Sequence, residues 1–286
     1  MVEYILGNYM ISKGRLTREQ LEKAVENQDK VRVKLGLIAV SEGYITIKQS
    51  DDINSMQEKC DKRFGDIAIE KGYMTEEQLN KVLKLQGNAY LTFVQALVDE
   101  GIIKVEEMDE LLECFRKENG YGFSDVEAIK NDNVDDILSL YMPQDAGDYA
   151  DIIGIVVRTI IRCIDRHAYI GKIERVEQAT GLSMVFQKIK GETTKTSVFI
   201  EEEGGMVEMA GVYARDTFDE MDEDVLDAAA EFLNCVNGIY TSSIADGKVD
   251  LLPPVYQLMG ADVQKDVVYR VPIWVHNKKM YYVIAE

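Results

Sequence analysis

One short segment carries side chains that could do chemistry together. In DAAAEFLNCVNGIYTSS, residues 227–243, Glu231 and Asn234 stand three residues apart, and Gly238 follows four residues later. On a helix these residues share one stripe with Asp227. The neutral amide of Asn234 can donate and accept hydrogen bonds, and side chains of a partner could approach where Gly238 leaves the stripe open. A solvated helix face would show the same pattern, and that alternative stays open.

The residues around this stripe predict the helix that must position it. The longer segment MDEDVLDAAAEFLNCVNGIY, residues 221–240, opens in an acidic first turn, which is typical of a helix N-terminus. At about 100° per residue, a single apolar arc forms opposite the stripe. Its members are Leu226, Ala229, Ala230, Leu233, Val236, Asn237 and Tyr240. We therefore expect one buried face and one exposed face.

The rest of the second half predicts an α+β domain. A long apolar helix is expected from about Tyr149 to His167, and the pattern then changes to a period of two, which is typical of strands. The strand-like segments are GLSMVFQKI (181–189), KTSVFIEE (195–202), GMVEMAGVYA (205–214), KVDLLPPVYQLM (248–259), DVVYRVPIWVH (266–276) and KKMYYVIAE (278–286). Turns are expected at Gly191, Gly204-Gly205, Gly247 and Asn277.

The first half contains four copies of a 29-residue pattern. The copies are ILGNYMISKGRLTREQLEKAVENQ (5–28), KLGLIAVSEGYITIKQSDDINSMQ (34–57), RFGDIAIEKGYMTEEQLNKVLKLQ (63–86) and TFVQALVDEGIIKVEEMDELLECF (92–115). Each predicts a short helix, a glycine turn and a longer helix. In the first and third copies the sequences RLTREQL and YMTEEQL predict capping boxes at the second helix.

Composition and charge exclude several classes of protein. The net charge is −19, divided as −5 over residues 1–120 and −14 over residues 121–286. Such a surface repels nucleic acid and anionic lipid, and no apolar run is long enough to span a bilayer. We expect a cytoplasmic protein with no nucleic-acid partner and no membrane insertion.

Cysteine and histidine usage predicts no intrinsic metal site. Cys60, Cys114, Cys163 and Cys235 lie far apart in the sequence, and there are only two histidines. No second ligand cluster accompanies the acidic run 216–227. Reduced thiols and no bound metal are therefore expected.

Residues from about 146 to 286 resemble the CheX chemotaxis phosphatase family, which is related to CheC and FliY. The resemblance rests on Glu231, Asn234 and Gly238, and on a strand entered through Pro253-Pro254 in DLLPPV. CheC-type proteins carry two such helices, and a single one is found here, so CheX is the better match.

This resemblance implies an enzyme. Its substrate would be the aspartyl phosphate of a response-regulator receiver domain, and the receiver would carry the Mg²⁺. Asn234 would hold the attacking water and Glu231 would pair with the receiver's lysine, with Asp227 and Gly238 in support. A homodimer formed through sheet edges is implied as well. The chain itself would need no intrinsic cofactor.

The four repeats resemble the N-terminal domains of type II secretion and pilus ATPases, of the MshE type. That family binds cyclic di-GMP through an Arg-Leu-Gly-x-x-Leu-x-x-x-Gly motif with a glutamine-ending tail. The arginine position is occupied here by Ile5, Lys34, Arg63 and Thr92 in turn. The resemblance therefore favours a nucleotide site at repeats two and three, formed by Lys34, Gln57, Arg63 and Gln86. Packing or protein docking is the alternative use of the repeats.

Together these patterns predict an α+β protein in two parts. Residues 1–120 would form an all-helical module of four helix-pair repeats, residues 121–145 a connector, and residues 146–286 a CheX-like domain with an antiparallel sheet and long helices. The predicted function is hydrolysis of a receiver's aspartyl phosphate in chemotaxis or two-component signalling, with a regulatory or docking module. The alternatives are a non-enzymatic adaptor that binds a receiver or flagellar-motor component, and a cyclic di-GMP sensor.

Overall fold

The computed structural model describes residues 1–57, 62–244 and 249–286. The chain divides into two compact units, residues 2–133 and residues 134–286. The division falls within segment 121–145, which the sequence predicts to be a connector. Cys60 and the turn predicted at Gly247 lie outside the described residues.

Eight helices of the first unit follow one another in four pairs. Their bounds are α1 (Val2–Ser12) and α2 (Arg18–Asn27), α3 (Leu35–Ser41) and α4 (Ile47–Gln57), α5 (Phe64–Glu70) and α6 (Glu76–Lys84), and α7 (Ala89–Asp99) and α8 (Val105–Asn119). A short 3₁₀ turn, Gln28–Lys30, follows α2, and α9 (Phe123–Lys130) completes the unit within the described chain.

The loop inside each pair turns at a glycine in the left-handed region. The φ values are +67° at Gly14, +68° at Gly43, +67° at Gly72 and +69° at Gly101. After α5, for example, the N–H of Gly72 donates to Ile69 O at 2.9 Å and the N–H of Tyr73 donates to Ala68 O at 2.9 Å. Glycine suits this position because a side chain at positive φ is strained.

The predicted capping boxes are confirmed in the first and third pairs. Thr17 Oγ1 accepts the N–H of Gln20, and Thr75 Oγ1 accepts the N–H of Gln78, each at 3.2 Å, with the glutamine reaching back. The second pair has the same arrangement, which the sequence analysis missed: Gln49 N–H donates to Thr46 Oγ1 at 3.2 Å. These caps satisfy N–H groups that a helix start leaves unpaired.

The second unit is α+β, as predicted. Its helices are α10 (Val134–Tyr141), α11 (Ala150–Cys163), α12 (Gly205–Ala214) and α13 (Glu223–Ser243), with a 3₁₀ turn at Gln144–Tyr149. Its strands are β1 (Tyr169–Ile170), β2 (Glu174–Arg175), β3 (Gln178–Gly181), β4 (Met184–Lys190), β5 (Thr194–Glu201), β6 (Asp250–Leu251), β7 (Val255–Gln257), β8 (Ala261–Gln264), β9 (Val268–Val275) and β10 (Lys278–Ala285).

The strands form one antiparallel sheet and a separate ribbon. The order in the sheet is β1-β9-β10-β5-β4-β6, with β2 also paired to β9 and β7 paired to β4. The ribbon consists of β3 and β8. In β10, Tyr282 faces α13 beside Phe199, whose ring lies 6.0 Å from that of Phe232 on the helix. Tyr281 and Val283 alternate with it and pack into a second apolar cluster with residues of the ribbon.

One predicted strand is wrong: GMVEMAGVYA, residues 205–214, forms the helix α12. The completely buried residues of α12 include Met206, Met209 and Ala210. Their spacing of three and four residues is that of a helix and not the period of two expected of a strand. The helix packs against α13 and against β5, β9 and β10.

A buried carboxylate fixes the start of α12. Glu201, at the end of β5, accepts the backbone N–H of Gly204 and, at 2.9 Å, that of Met206. Gly204 has φ +90°, so the chain turns sharply from strand into helix. Burial raises the pKa of Glu201, and the backbone donors act in the opposite direction. The capped turn explains why the chain leaves the sheet here.

Two other boundaries differ from prediction. The long apolar helix runs over Ala150–Cys163 and stops before His167, since Asp165 turns the chain by accepting the N–H of His167 at 2.9 Å. Segment 121–145, predicted to be a connector, contains the two helices α9 and α10. In the described parts of the chain, every helix is too short or too polar to cross a membrane.

Candidate functional site on helix α13

The helix predicted to carry the site is confirmed. Its N-cap is Asp222, whose carboxylate accepts the N–H of Val225 at 2.9 Å. All seven residues of the predicted apolar arc are buried, and α13 packs on α11, α12 and the sheet. The opposite stripe therefore faces away from the core.

The outward stripe is open. Asp227, Glu231 and Asn234 are exposed, and Gly238 is half-buried. A Cβ atom added to Gly238 would meet no heavy atom within 4 Å. The stripe thus presents two carboxylates and one amide on a surface that another molecule can reach.

Glu231 has no ion pair or hydrogen bond with another described residue. Tyr213 of α12, which sequence reasoning missed, lies close enough to Glu231 to be affected by its charge. Burial raises the pKa of the Tyr213 hydroxyl, and the electrostatic influence of the nearby Cys235 and Glu231 raises it further. The carboxylate of Glu231 is therefore available to an incoming cation.

Asn234 is exposed, but the oxygen of its side-chain amide is hydrogen-bonded to a residue beneath the helix. Its Oδ1 accepts a hydrogen bond from Nε2 of Gln187 at 2.6 Å. Gln187 lies in β4 and is completely buried beneath α13. No described group pairs with the Nδ2 of Asn234. The two N–H donors of this amide are consequently the ones offered to an outside molecule.

The same glutamine reaches the segment that contains the two prolines. Its Nε2 also donates to Leu252 O at 2.7 Å, and Leu252 N–H donates to Lys188 O at 3.0 Å. The chain then passes through Pro253 and Pro254 before β7 pairs with β4. The Glu-x-x-Asn helix and the Pro-Pro strand entry, which the sequence placed about 20 residues apart, therefore meet at Gln187.

The candidate site holds no evident metal ligands. Within the described ranges, no three His, Cys, Asp or Glu side chains are grouped closely enough to bind a metal ion. Cys114, Cys163 and Cys235 are free thiols at the surface. Asp227 and Glu231, the two carboxylates of the stripe, therefore belong to no such group.

The four residues predicted to bind a nucleotide line one pocket in the first unit. The pocket has a volume of about 1050 Å³, and its lining includes Lys34, Gln57, Arg63 and Gln86. It extends beyond repeats two and three, because Lys104 of the fourth repeat also contributes.

The pocket lining is more basic than acidic. It includes four basic side chains against two acidic ones, which are Arg32, Lys34, Arg63, Lys104, Asp51 and Glu106. This is unusual in a chain of net charge −19. The pocket would therefore favour an anionic ligand.

The polar side chains of the pocket differ in the hydrogen bonds and ion pairs that they make with the rest of the chain. Lys34 Nζ pairs with Asp99 at 3.0 Å. Gln57 Nε2 donates to Lys62 O at 3.0 Å, while Gln86 donates over 3.4 Å to a backbone carbonyl. The guanidinium of Arg63 makes no hydrogen bond or ion pair with any other described residue, so it can bind a ligand without giving up a contact to any of them.

Comparisons with known proteins give structural neighbours only. No family model matches the chain, and no curated protein matches it. Solved structures that resemble it include a chemotaxis protein CheX from Desulfovibrio desulfuricans, at 12% identity and a TM-score of 0.42 over 48% of this chain and 97% of that one. CheX from Vibrio vulnificus is 16% identical to it, with a TM-score of 0.39 over 47% of this chain and 95% of that one.

A third neighbour is the CheX–CheY–BeF₃–Mg²⁺ complex from Borrelia burgdorferi, at 14% identity and a TM-score of 0.34 over 48% of this chain and 96% of that one. All three are chemotaxis proteins of the CheX type and cover about half of the chain. The resemblance of the repeats to the MshE type stays a prediction.

Proposed function

We propose that the exposed face of α13 is a phosphatase site for the aspartyl phosphate of a response-regulator receiver, acting in chemotaxis or two-component signalling. One observation carries the proposal. The amide of Asn234 stands on an open surface with its oxygen held by the buried Gln187 and its N–H donors unpaired among the described residues. An amide held in this way can position a water molecule.

The reaction needs little covalent chemistry from this chain. Water attacks phosphorus, a new P–O bond forms, and the bond between phosphorus and the aspartyl oxygen breaks. The products are inorganic phosphate, which takes the water's oxygen and both of its protons as H₂PO₄⁻ before exchanging protons with solvent, and the aspartate carboxylate. Catalysis of such a step is mostly positioning and charge stabilisation. Asn234 holds the water in line, and its neutral amide does not repel the phosphoryl group.

The charge of the stripe fits a partner that brings cations. Asp227 and Glu231 would repel a phosphoryl dianion that approached alone. A receiver carries Mg²⁺ and a lysine beside its phosphoaspartate. Glu231, which is free of ion pairs with other described residues, pairs with that lysine and sets the docked geometry. Asp227, at one end of the stripe, adds a second negative charge that attracts the receiver's cations, and Gly238 leaves room for the receiver.

A phosphate-release assay tests this proposal. The full chain is incubated with a panel of phosphorylated receivers, and release of inorganic phosphate is followed over time. We expect at least one receiver to lose phosphate faster with the chain than alone. The adaptor alternative predicts binding to a receiver with an unchanged rate. Acceleration of no receiver in a broad panel would count against the phosphatase.

A second function is supported by the pocket of the first unit. We infer that it binds cyclic di-GMP, because Lys34, Gln57, Arg63 and Gln86 line one pocket with an excess of basic groups. Arginine can make bidentate and stacking contacts with guanine or phosphate. Calorimetry of the full chain with cyclic di-GMP tests this. A micromolar dissociation constant supports a sensor, whereas no heat near 1 mM ligand leaves the repeats as a packing or docking module.

A further inference from the structure

Gln187 is a polar residue at a buried, inward-facing position of β4, where an apolar side chain is usual. In β4, Val185, Gln187 and Ile189 alternate toward the helices, and all three are buried. Gln187 is completely inaccessible, as is Asn237 of α13, to which it is bonded. Buried amides are costly unless they are hydrogen-bonded, and two facing leucines would pack here without that requirement.

The hydrogen bonds of Gln187 are directed toward the candidate site. Its Nε2 donates to Asn234 Oδ1 at 2.6 Å and to Leu252 O at 2.7 Å, which uses both N–H groups. Its Oε1 accepts from Asn237 Nδ2 at 2.8 Å. Each end of the glutamine amide therefore has a partner, and its orientation is fixed.

Asn237 shows that this arrangement is not optimised for stability. Its Oδ1 is buried and has no hydrogen-bond partner among the described residues. An unpaired buried acceptor destabilises a fold. The pair is therefore unlike Ser197 and Tyr282 in the neighbouring strands, whose hydroxyls satisfy each other at 3.0 Å.

We propose, on the basis of the phosphatase function above, that Gln187 is a positioning residue for Asn234. Because both Nε2 hydrogens of Gln187 meet acceptors, Asn234 must turn its Oδ1 inward and its Nδ2 outward. The same amide links the Leu252–Pro253 segment to α13, because it is hydrogen-bonded to Leu252 O as well as to residues of the helix. Gln187 thus determines which end of Asn234 meets the water, although it touches no substrate itself.

Two variants separate this role from folding. Gln187→Leu removes the hydrogen bond to Asn234 Oδ1. It also leaves Asn237 Nδ2 without its acceptor, which weakens the fold. The double variant Gln187→Leu/Asn237→Leu removes both buried amides together, which is better tolerated. Ser197→Ala is the matched control, because it deletes a buried hydrogen bond under the same helix that does not involve Asn234.

Two readouts are needed. The first is steady-state dephosphorylation of a receiver, in which both Leu variants should lower kcat about tenfold or more, with KM within about twofold. The second is NMR of the Asn234 side-chain amide in the full chain, assigned by comparison with Asn234→Ala. The parent should show a restrained amide, and the Leu variants a mobile one.

The outcomes distinguish this inference from the proposed function. If the parent dephosphorylates receivers but the Leu variants keep its kcat and a restrained Asn234 amide, the positioning role is wrong and the phosphatase stands. A kcat loss of the same size in Ser197→Ala would also overturn the role, since it would show a general packing effect. If the parent has no activity, the phosphatase fails, and the NMR comparison, which needs no substrate, still decides whether Gln187 orients Asn234.

Discussion

The two candidate sites hold their polar groups in different ways. On α13, Asn234 is exposed at one end and tied at the other to the buried Gln187. In the pocket of the first unit, Lys34 pairs with Asp99 through side chains that are 69% and 43% exposed, and Arg63 pairs with no described residue. The first arrangement suits the positioning of a reacting water. The second suits a ligand that supplies its own charge and orders the side chains on binding.

The charges of the two regions differ in sign. The stripe on α13 carries Asp227 and Glu231 in a half of net charge −14, whereas the pocket has more basic than acidic lining residues. A partner of the stripe must bring cations, and a ligand of the pocket must bring anions. In the functions proposed above, the stripe receives a macromolecular partner and the pocket a small anionic ligand.

The largest effect is expected from Asn234→Ala. The change removes the water-holding amide from an exposed position, so the helix should stay folded while the dephosphorylation rate falls about 100-fold or more. Steady-state phosphate release and circular dichroism measure the two quantities. Cys235→Ala, at the next exposed position of the helix, should leave the rate unchanged. An Asn234→Ala protein with the parent's rate would show that the amide is not catalytic.

Arg63→Ala should have the next largest effect, now in the pocket. Loss of a bidentate contact should weaken cyclic di-GMP binding more than tenfold from a micromolar starting value, which itself corresponds to about −8 kcal/mol. Titration calorimetry of the full chain measures it. Arg18→Ala, which removes an exposed arginine of α2 outside the pocket lining, is the control. Equal binding by parent and Arg63→Ala would remove this arginine from the site.

Glu231→Gln should affect docking more than turnover at saturation. Replacing the carboxylate by an amide removes one charge-assisted contact with the receiver's lysine and should raise KM about tenfold. Substrate-saturation curves separate KM from kcat. Glu223→Gln deletes a charge in the first turn of the same helix and should change KM little. If kcat falls with KM constant, Glu231 acts on the reaction and not on docking.

The smallest effect is expected from Asp99→Asn. This change frees Lys34 from an exposed ion pair, and such pairs contribute little. Cyclic di-GMP should bind about two- to threefold more tightly, and the gain should shrink at high salt. Calorimetry at two ionic strengths tests both points. Weaker binding in Asp99→Asn would mean that the pair holds Lys34 in its binding position.

The sequence predicted the stripe on α13 because a helix repeats its faces every three to four residues. The exposure of Asp227, Glu231 and Asn234 follows from that period alone. The helix α12 was missed because its start depends on Glu201, whose role as a cap requires the strand that precedes it to be in place. The spacing of Met206, Met209 and Ala210 was a local signal for the helix, but it does not show where the helix begins.

The support beneath Asn234 was missed for a related reason. Gln187 lies 47 residues before Asn234, and only the pairing of β4 with its neighbours brings the two together. A signal was present, since Gln187 is a polar residue at an inward position of an alternating strand. The sequence could have marked Gln187 as unusual, but it could not name its partner.

The most direct test of the central claim is turnover at a substoichiometric amount of this chain. A phosphorylated receiver in tenfold excess is mixed with the full chain or with Asn234→Ala, and the fraction of receiver still phosphorylated is followed. The account predicts that the parent discharges many receivers per molecule and that Asn234→Ala discharges them at close to the spontaneous rate. Receiver binding by the parent with decay no faster than the spontaneous rate would contradict the account and favour an adaptor.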